Sequence, residues 1–123
     1  LVCVESGFDI HVAGAAGMHV KATELLCHVD TEEEALATCA ALVQLYREQG
    51  HYLERVYTWV ARVGLDAVKE LIVLRTEQRA ALLERFTHAQ RHGQHDPWEL
   101  RAHGRDSHEF QPLNRIVRAG VPA

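Results

Sequence analysis

Positive charge is scarce and scattered in this chain of 123 residues. Thirteen Lys and Arg residues stand against 17 Asp and Glu, for a formal charge of −4, and only Lys21 and Lys69 are lysines. A nucleic-acid surface needs clustered cations, so that class is excluded. No apolar run approaches the roughly 20 residues of a transmembrane helix, and no secretory leader is visible, which argues against a membrane partner. Cysteine is limited to Cys3, Cys27 and Cys39, an odd number with no C-x-x-C spacing. That excludes a disulfide framework and fits reduced thiols in the cytoplasm. Internal repeats and low-complexity tracts are absent. What remains is ordinary globular composition, 47% apolar and 24% charged, at a length that suits one domain or a piece of a larger one. The chain opens inside an apolar run, Leu1-Val2-Cys3-Val4, with no initiating Met, and this predicts the tail of a longer polypeptide.

Alternation dominates the first thirty residues. Leu1–Val4 and Phe8–Val12 read as strands joined by Glu5-Ser6-Gly7, an antiparallel hairpin, with Phe8, Ile10 and Val12 on one face. Ala13–Gly17 reads as a turn in which Gly14 and Gly17 supply backbone freedom. Glu24–Val29 follows as a third strand or extended segment. Asp30-Thr31-Glu32-Glu33-Glu34 then announces a helix, because Thr31 and Glu34 have capping-box spacing and three glutamates suit the positive helix end. Leu36, Cys39, Val43, Tyr46, Leu53, Val56 and Val60 fall at helical spacing and predict one apolar stripe running to Gly64, the C-terminal cap. Gly50 interrupts that pattern as a bend or a close contact. Residues 65–92 are helical, as one helix or as two broken near Thr76. Asp96-Pro97-Trp98 starts a short helix, and residues 104–123 read as an extended tail. The expected class is α+β: a hairpin plus one strand, then a predominantly helical region, with residues 1–92 as one part and 93–123 as a short helix and tail.

Several patterns invite chemistry. G-x-x-G at Gly14–Gly17 falls short of the dinucleotide fingerprint, which needs G-x-G-x-x-G opening a helix. It is a structural turn on spacing alone, or a backbone lip against a flat or anionic cofactor with His19 or Lys21 supplying charge. His88 and His92 share a helix face with His95 just beyond, yet zinc wants a thiolate or carboxylate among its remaining ligands. A solvated helix end accounts for them better. Cys27 and His28 are adjacent on a strand and point to opposite faces, so they form no nucleophile–base pair. Cys39 on the stripe reads as packing, and Tyr46, Tyr52, Tyr57 and Trp59 read as core and interface rings. No complete active site emerges from spacing, so no catalytic or metal-ligating residue is assigned.

The run Gly7-Phe8-Asp9-Ile10-His11-Val12-Ala13-Gly14-Ala15-Ala16-Gly17-Met18 resembles the strand and glycine turn near the C-terminus of assimilatory NAD(P)H-dependent nitrite reductase large subunits. More distantly it is similar to the sirohaem sulfite reductases. The likeness continues through Leu45-Tyr46-Arg47-Glu48, Tyr52-Leu53-Glu54-Arg55, Arg62-Val63-Gly64-Leu65-Asp66, Asp96-Pro97-Trp98 and His108-Glu109-Phe110-Gln111-Pro112-Leu113. It implies a C-terminal fragment of the sirohaem and 4Fe-4S part of an enzyme that passes electrons from NAD(P)H through FAD to nitrite. The partners it implies are the preceding domains and a small subunit. It also implies that the isolated chain carries no cofactor, because the family's two close-spaced cysteine pairs are absent here. Gly14 and Gly17 match the family turn, and Lys21 matches a position that is basic in relatives. These three are the cofactor-proximal candidates. Where relatives often have Gly-Gly-Asn-x-Gly, Ala13 and Ala15 replace a glycine and the asparagine. The alternative is a free-standing helical module binding a partner through Tyr46 to Trp59.

Overall fold

The computed structural model describes residues 1–94 and 96–104, and the chain divides into two units, Leu1–Ala89 and Gln90–Ala123. In the first unit the expected hairpin forms from β1 (Val2–Val4) and β2 (Gly7–Val12). A second, two-stranded sheet pairs β3 (Ala15–Ala16) with β4 (Val20–Lys21). β5 (Glu24–Val29) then returns antiparallel along β2, giving the order β1-β2-β5. The sequence stretch read as a simple turn, Ala13–Gly17, therefore carries one strand of a small hairpin.

The β2–β5 register shifts between Ile10 and His11, where Leu26 is left without an opposite residue. This bulge has a packing consequence. Strict alternation would send Leu26 away from the face that holds Cys27 and Val29. With the extra residue, Leu26 is buried in the same core cluster that Cys27 and Val29 pack against.

Helix α1 (Glu32–Gln49) starts as its sequence predicts: Thr31 is the N-cap and its Oγ1 accepts the Glu34 N–H at 3.2 Å. The buried face differs from the expected stripe. Leu36 and Val43 are exposed, while Ala35, Thr38, Ala41 and Leu45 are buried. Small side chains at i, i+3 and i+6 let a helix backbone approach a sheet closely, so the buried face here is narrow rather than bulky.

The single helix expected through Gly64 is two. α1 ends at Gln49, and α2 spans Val56–Val63. Gly50 is both break and close contact, because a Cβ there would lie 2.8 Å from the Tyr46 carbonyl oxygen and 3.0 Å from its ring. Leu53, expected on the stripe, is exposed and adopts a positive φ of 61°. Tyr46 and Trp59 clamp the two helices together edge to face, with centroids 5.5 Å apart, and Trp59 is fully buried. Gly64 caps α2 as expected, with φ 89° and its N–H on the Val60 carbonyl.

Residues 65–92 resolve into two helical stretches. α3 (Leu65–Lys69) runs into a π-helical turn, Glu70–Leu74, closed by the Arg75 N–H on the Glu70 carbonyl at 3.0 Å. The wider turn brings Leu71, Ile72 and Val73 all to the core cluster. Arg75, with φ −97° and ψ 83°, makes the break one residue before Thr76. α4 (Thr76–Gly93) follows, and its Arg85 grips Glu48 of α1, Nε to Oε1 at 2.7 Å. In the second unit α5 (Pro97–Ala102) begins with the Trp98 N–H on Asp96 Oδ1 at 2.9 Å, as the Asp-Pro-Trp start predicts. Of the tail expected over 104–123 only Gly104 is described; residues 105–123, like His95, lie outside the described residues.

Candidate functional site

An open groove of about 620 Å³ lies between the β3–β4 hairpin and the start of α2. Gly14 through His19 form one lip, and Arg55, Val56 and Tyr57 form the other. The two glycines singled out by sequence both line it, though for different reasons. Gly14 makes room inside the fold: a Cβ there would meet the Thr23 methyl at 2.5 Å. Gly17 faces open space, and a Cβ would meet nothing within 4 Å. Neither uses the left-handed backbone that glycine permits. That conformation falls on the preceding residue, Ala13, buried with φ 65°.

Lys21, the third candidate, is not among the groove's lining residues. It sits on β4 opposite Ala15 and pairs with Glu24, Nζ to Oε1 at 3.2 Å. Its place as the groove's cation is taken by Arg55, which spacing alone did not single out. Arg55 is the N-cap residue of α2, makes no side-chain capping bond, and has no ion-pair partner among the described residues. The first turn of α2 carries no acidic residue. A cation at the positive end of a helix is unfavourable by itself, so helix end and guanidinium together make this lip attractive to an anion. The signal was in the sequence: an Arg stands where Ser, Thr, Asp or Asn is the usual cap.

The other chemistry-bearing residues do not converge there. His28 pairs across strands with Asp9, Nδ1 to Oδ1 at 2.7 Å, on the opposite side of the sheet from Cys27. Cys3 is exposed, and Cys27 and Cys39 are half-buried. Burial raises the Cys27 thiol above its ordinary range, with Arg79 opposing, which keeps it protonated and a poor ligand at neutral pH. Among the described residues no group of three or more His, Cys, Asp and Glu side chains could hold a metal ion, and no helix is long and apolar enough to cross a membrane.

Fold and groove define a class first: an α+β unit with a glycine-lipped, cationic groove and no metal-ligand set among the described residues. The chain belongs to the nitrite and sulphite reductase 4Fe-4S domain family, whose sequence model matches residues 1–80. It is 36% identical over 80 residues to the assimilatory nitrate reductase electron transfer subunit of Bacillus subtilis (strain 168), covering 65% of this chain and 10% of that protein. It is 40% identical over 72 residues to the nitrite reductase [NAD(P)H] of the same organism, covering 58% of this chain and 9% of that protein. The chain thus spans about a tenth of the length of the curated relatives it matches. No solved structure matches it.

Proposed function

We propose that this chain is the C-terminal part of the large subunit of an assimilatory nitrite reductase, in which it walls the sirohaem and 4Fe-4S site. The complete polypeptide takes electrons from NAD(P)H through FAD and iron–sulfur to sirohaem, and reduces nitrite to ammonium in the cytoplasm. Residues 1–92 complete the cofactor domain, and 93–123 lie beyond it. Partners are the preceding domains and the small subunit, with neither nucleic acid nor membrane involved. When bound, sirohaem supplies the iron at which nitrite is reduced.

The observation that carries this reading is the groove lined by both Arg55 and Gly17. A guanidinium with no ion-pair partner among the described residues, a helix start without an acidic residue and a glycine lip open to the groove suit the carboxylate rim of a flat tetrapyrrole. Gly14 holds the lip in place, and Lys21 flanks it. The cluster does not fit the chain alone: three separated cysteines cannot supply four thiolates, so its ligands belong to the preceding domains. No step of the reaction is assigned to a side chain of this segment. The alternative of a free-standing interaction module would have to use Tyr52 and Tyr57, which are exposed, because Trp59 is fully buried and Tyr46 meets it edge to face.

Purified alone, the chain should be inactive and lack sirohaem and cluster absorption. In the longer polypeptide, Arg55→Glu should lower bound sirohaem per protein about tenfold, the scale of one lost charge-assisted contact. Wild-type sirohaem content in that variant would remove Arg55 from the site, and sirohaem absorption from the isolated chain would overturn the role as a wall.

A further inference from the structure

Every polar group of Glu54 is bonded. Its carboxylate takes two hydrogen bonds from Arg62 and one from the His51 N–H, and its own N–H donates to the His51 carbonyl at 3.0 Å. Its carbonyl accepts the Tyr46 hydroxyl. The next residue is the reverse. The Arg55 side chain has no hydrogen bond or ion pair among the described residues, and it lines the groove. Only its backbone is engaged: the Arg55 carbonyl accepts the Thr58 N–H at 3.0 Å and the Trp59 N–H at 2.9 Å, and Trp59 is fully buried. Arg55 is thus pinned from both sides along the chain while its guanidinium stays unengaged.

Leu53 shows how firmly this loop is held. Leucine is disfavoured at its φ of 61°, and because the side chain is 81% exposed no burial offsets the strain. Such a conformation persists only where neighbouring contacts fix it, and those contacts are the bonds of Glu54. α1 and α2 are already joined by Tyr46 against Trp59, so what the Arg62–Glu54 bridge adds is local. A guanidinium reaching from a fixed backbone loses less freedom on meeting an anion than one carried by a mobile loop. Because Arg62 also occupies both Glu54 carboxylate oxygens, the neighbouring acid does not compete with a ligand for Arg55.

We propose that Glu54 is a positioning residue of the groove: it fixes the backbone from which Arg55 reaches the carboxylate rim of a bound tetrapyrrole, and with Arg62 it keeps that guanidinium free. This rests on the reading of the groove as the seat of those carboxylates. The test is bound sirohaem per protein in the longer polypeptide, for Glu54→Gln, Arg55→Ala and the double variant. Glu54→Gln should lower it about threefold beside Arg55, the scale of one loosened side chain, and no further once Arg55 is alanine. A purely structural role would move sirohaem content equally in both backgrounds, and that result would overturn the inference. Loss from Arg55→Ala with none from Glu54→Gln would overturn it too, while leaving the groove's reading intact. No loss from Arg55→Ala would sink both together. Arg62→Lys runs the same cycle with the carboxylate in place, so the answer stands even where Glu54→Gln does not fold. It keeps the charge, loses the two-pronged grip and should likewise act only when Arg55 is present.

Discussion

Arg62 holds Glu54 through two parallel hydrogen bonds, Nε to Oε1 at 2.8 Å and Nη2 to Oε2 at 2.7 Å. The same Nη2 reaches the Gln49 carbonyl at 3.0 Å, and the His51 N–H donates to Glu54 Oε2 at 2.9 Å. The Tyr46 hydroxyl donates to the Glu54 carbonyl. One acidic residue thereby ties the end of α1, the loop after it and the last turn of α2. The loop that delivers Arg55 to the groove is fixed from both sides.

That arrangement has a pH signature. The Arg62 hydrogen bonds, then the His51 N–H, pull the Glu54 carboxyl from 4.5 to about 2, and its side chain is only 8% exposed. A carboxyl depressed in the folded state stabilises the fold above its unfolded pKa, and that contribution is lost as pH falls through the folded value. The urea midpoint should therefore drop between pH 4.5 and about 2. Glu54→Gln should flatten part of that limb; an acid limb of unchanged steepness would remove Glu54 from the account.

The opposite sign applies to His28. Its hydrogen bond with Asp9 raises its pKa above 6.5 against partial desolvation, with the Ser6 backbone and the Asp9 and Asp30 charges adding to the rise. A histidine raised in the folded state stabilises fully below its unfolded pKa, and the contribution fades as pH climbs through the folded one. Stability should fall modestly above pH 6.5, since the pair is partly exposed. Asp9→Asn should flatten most of that slope, and an NMR titration placing His28 at or below 6.5 would contradict the pairing.

Two glycine-to-alanine exchanges should behave in opposite ways. At Gly7, φ is +138° and a Cβ would collide with the Val29 carbonyl, which is backbone of β5 and cannot swing aside. Gly7→Ala should destabilise by about 2–4 kcal/mol in denaturant melts, the scale of a strained backbone plus a steric clash. Gly17→Ala meets neither obstacle and should change stability by less than about 0.5 kcal/mol. Equal effects at the two sites would show the hairpin to be arranged differently.

The sequence made the three strands of the larger sheet and the start of α1 legible because they are local. Alternation over Phe8–Val12, the Thr31–Glu34 box and the Gly64 cap each depend on residues a few positions apart. The break after Gln49 was not legible in that way. It rests on the Tyr46 hydroxyl reaching the Glu54 carbonyl and on Arg62 reaching back eight residues, contacts that exist only once α1 and α2 pack. The buried face of α1 was misread because hydropathy favours Leu36 and Val43, whereas close approach favours Ala35, Thr38 and Ala41. Of the residues that line the groove, Gly14 and Gly17 were singled out through the family turn and Arg55 was not, because a cap position is recognised only when the helix start is known.

Ala13 holds its left-handed turn at close to thermodynamic balance. Its left-handed backbone costs an alanine roughly 1 kcal/mol that a glycine escapes, while its buried methyl returns about 0.8 kcal/mol and restricts the unfolded chain. The opposing contributions nearly cancel. The turn therefore tolerates alanine or glycine at this position with little change in stability.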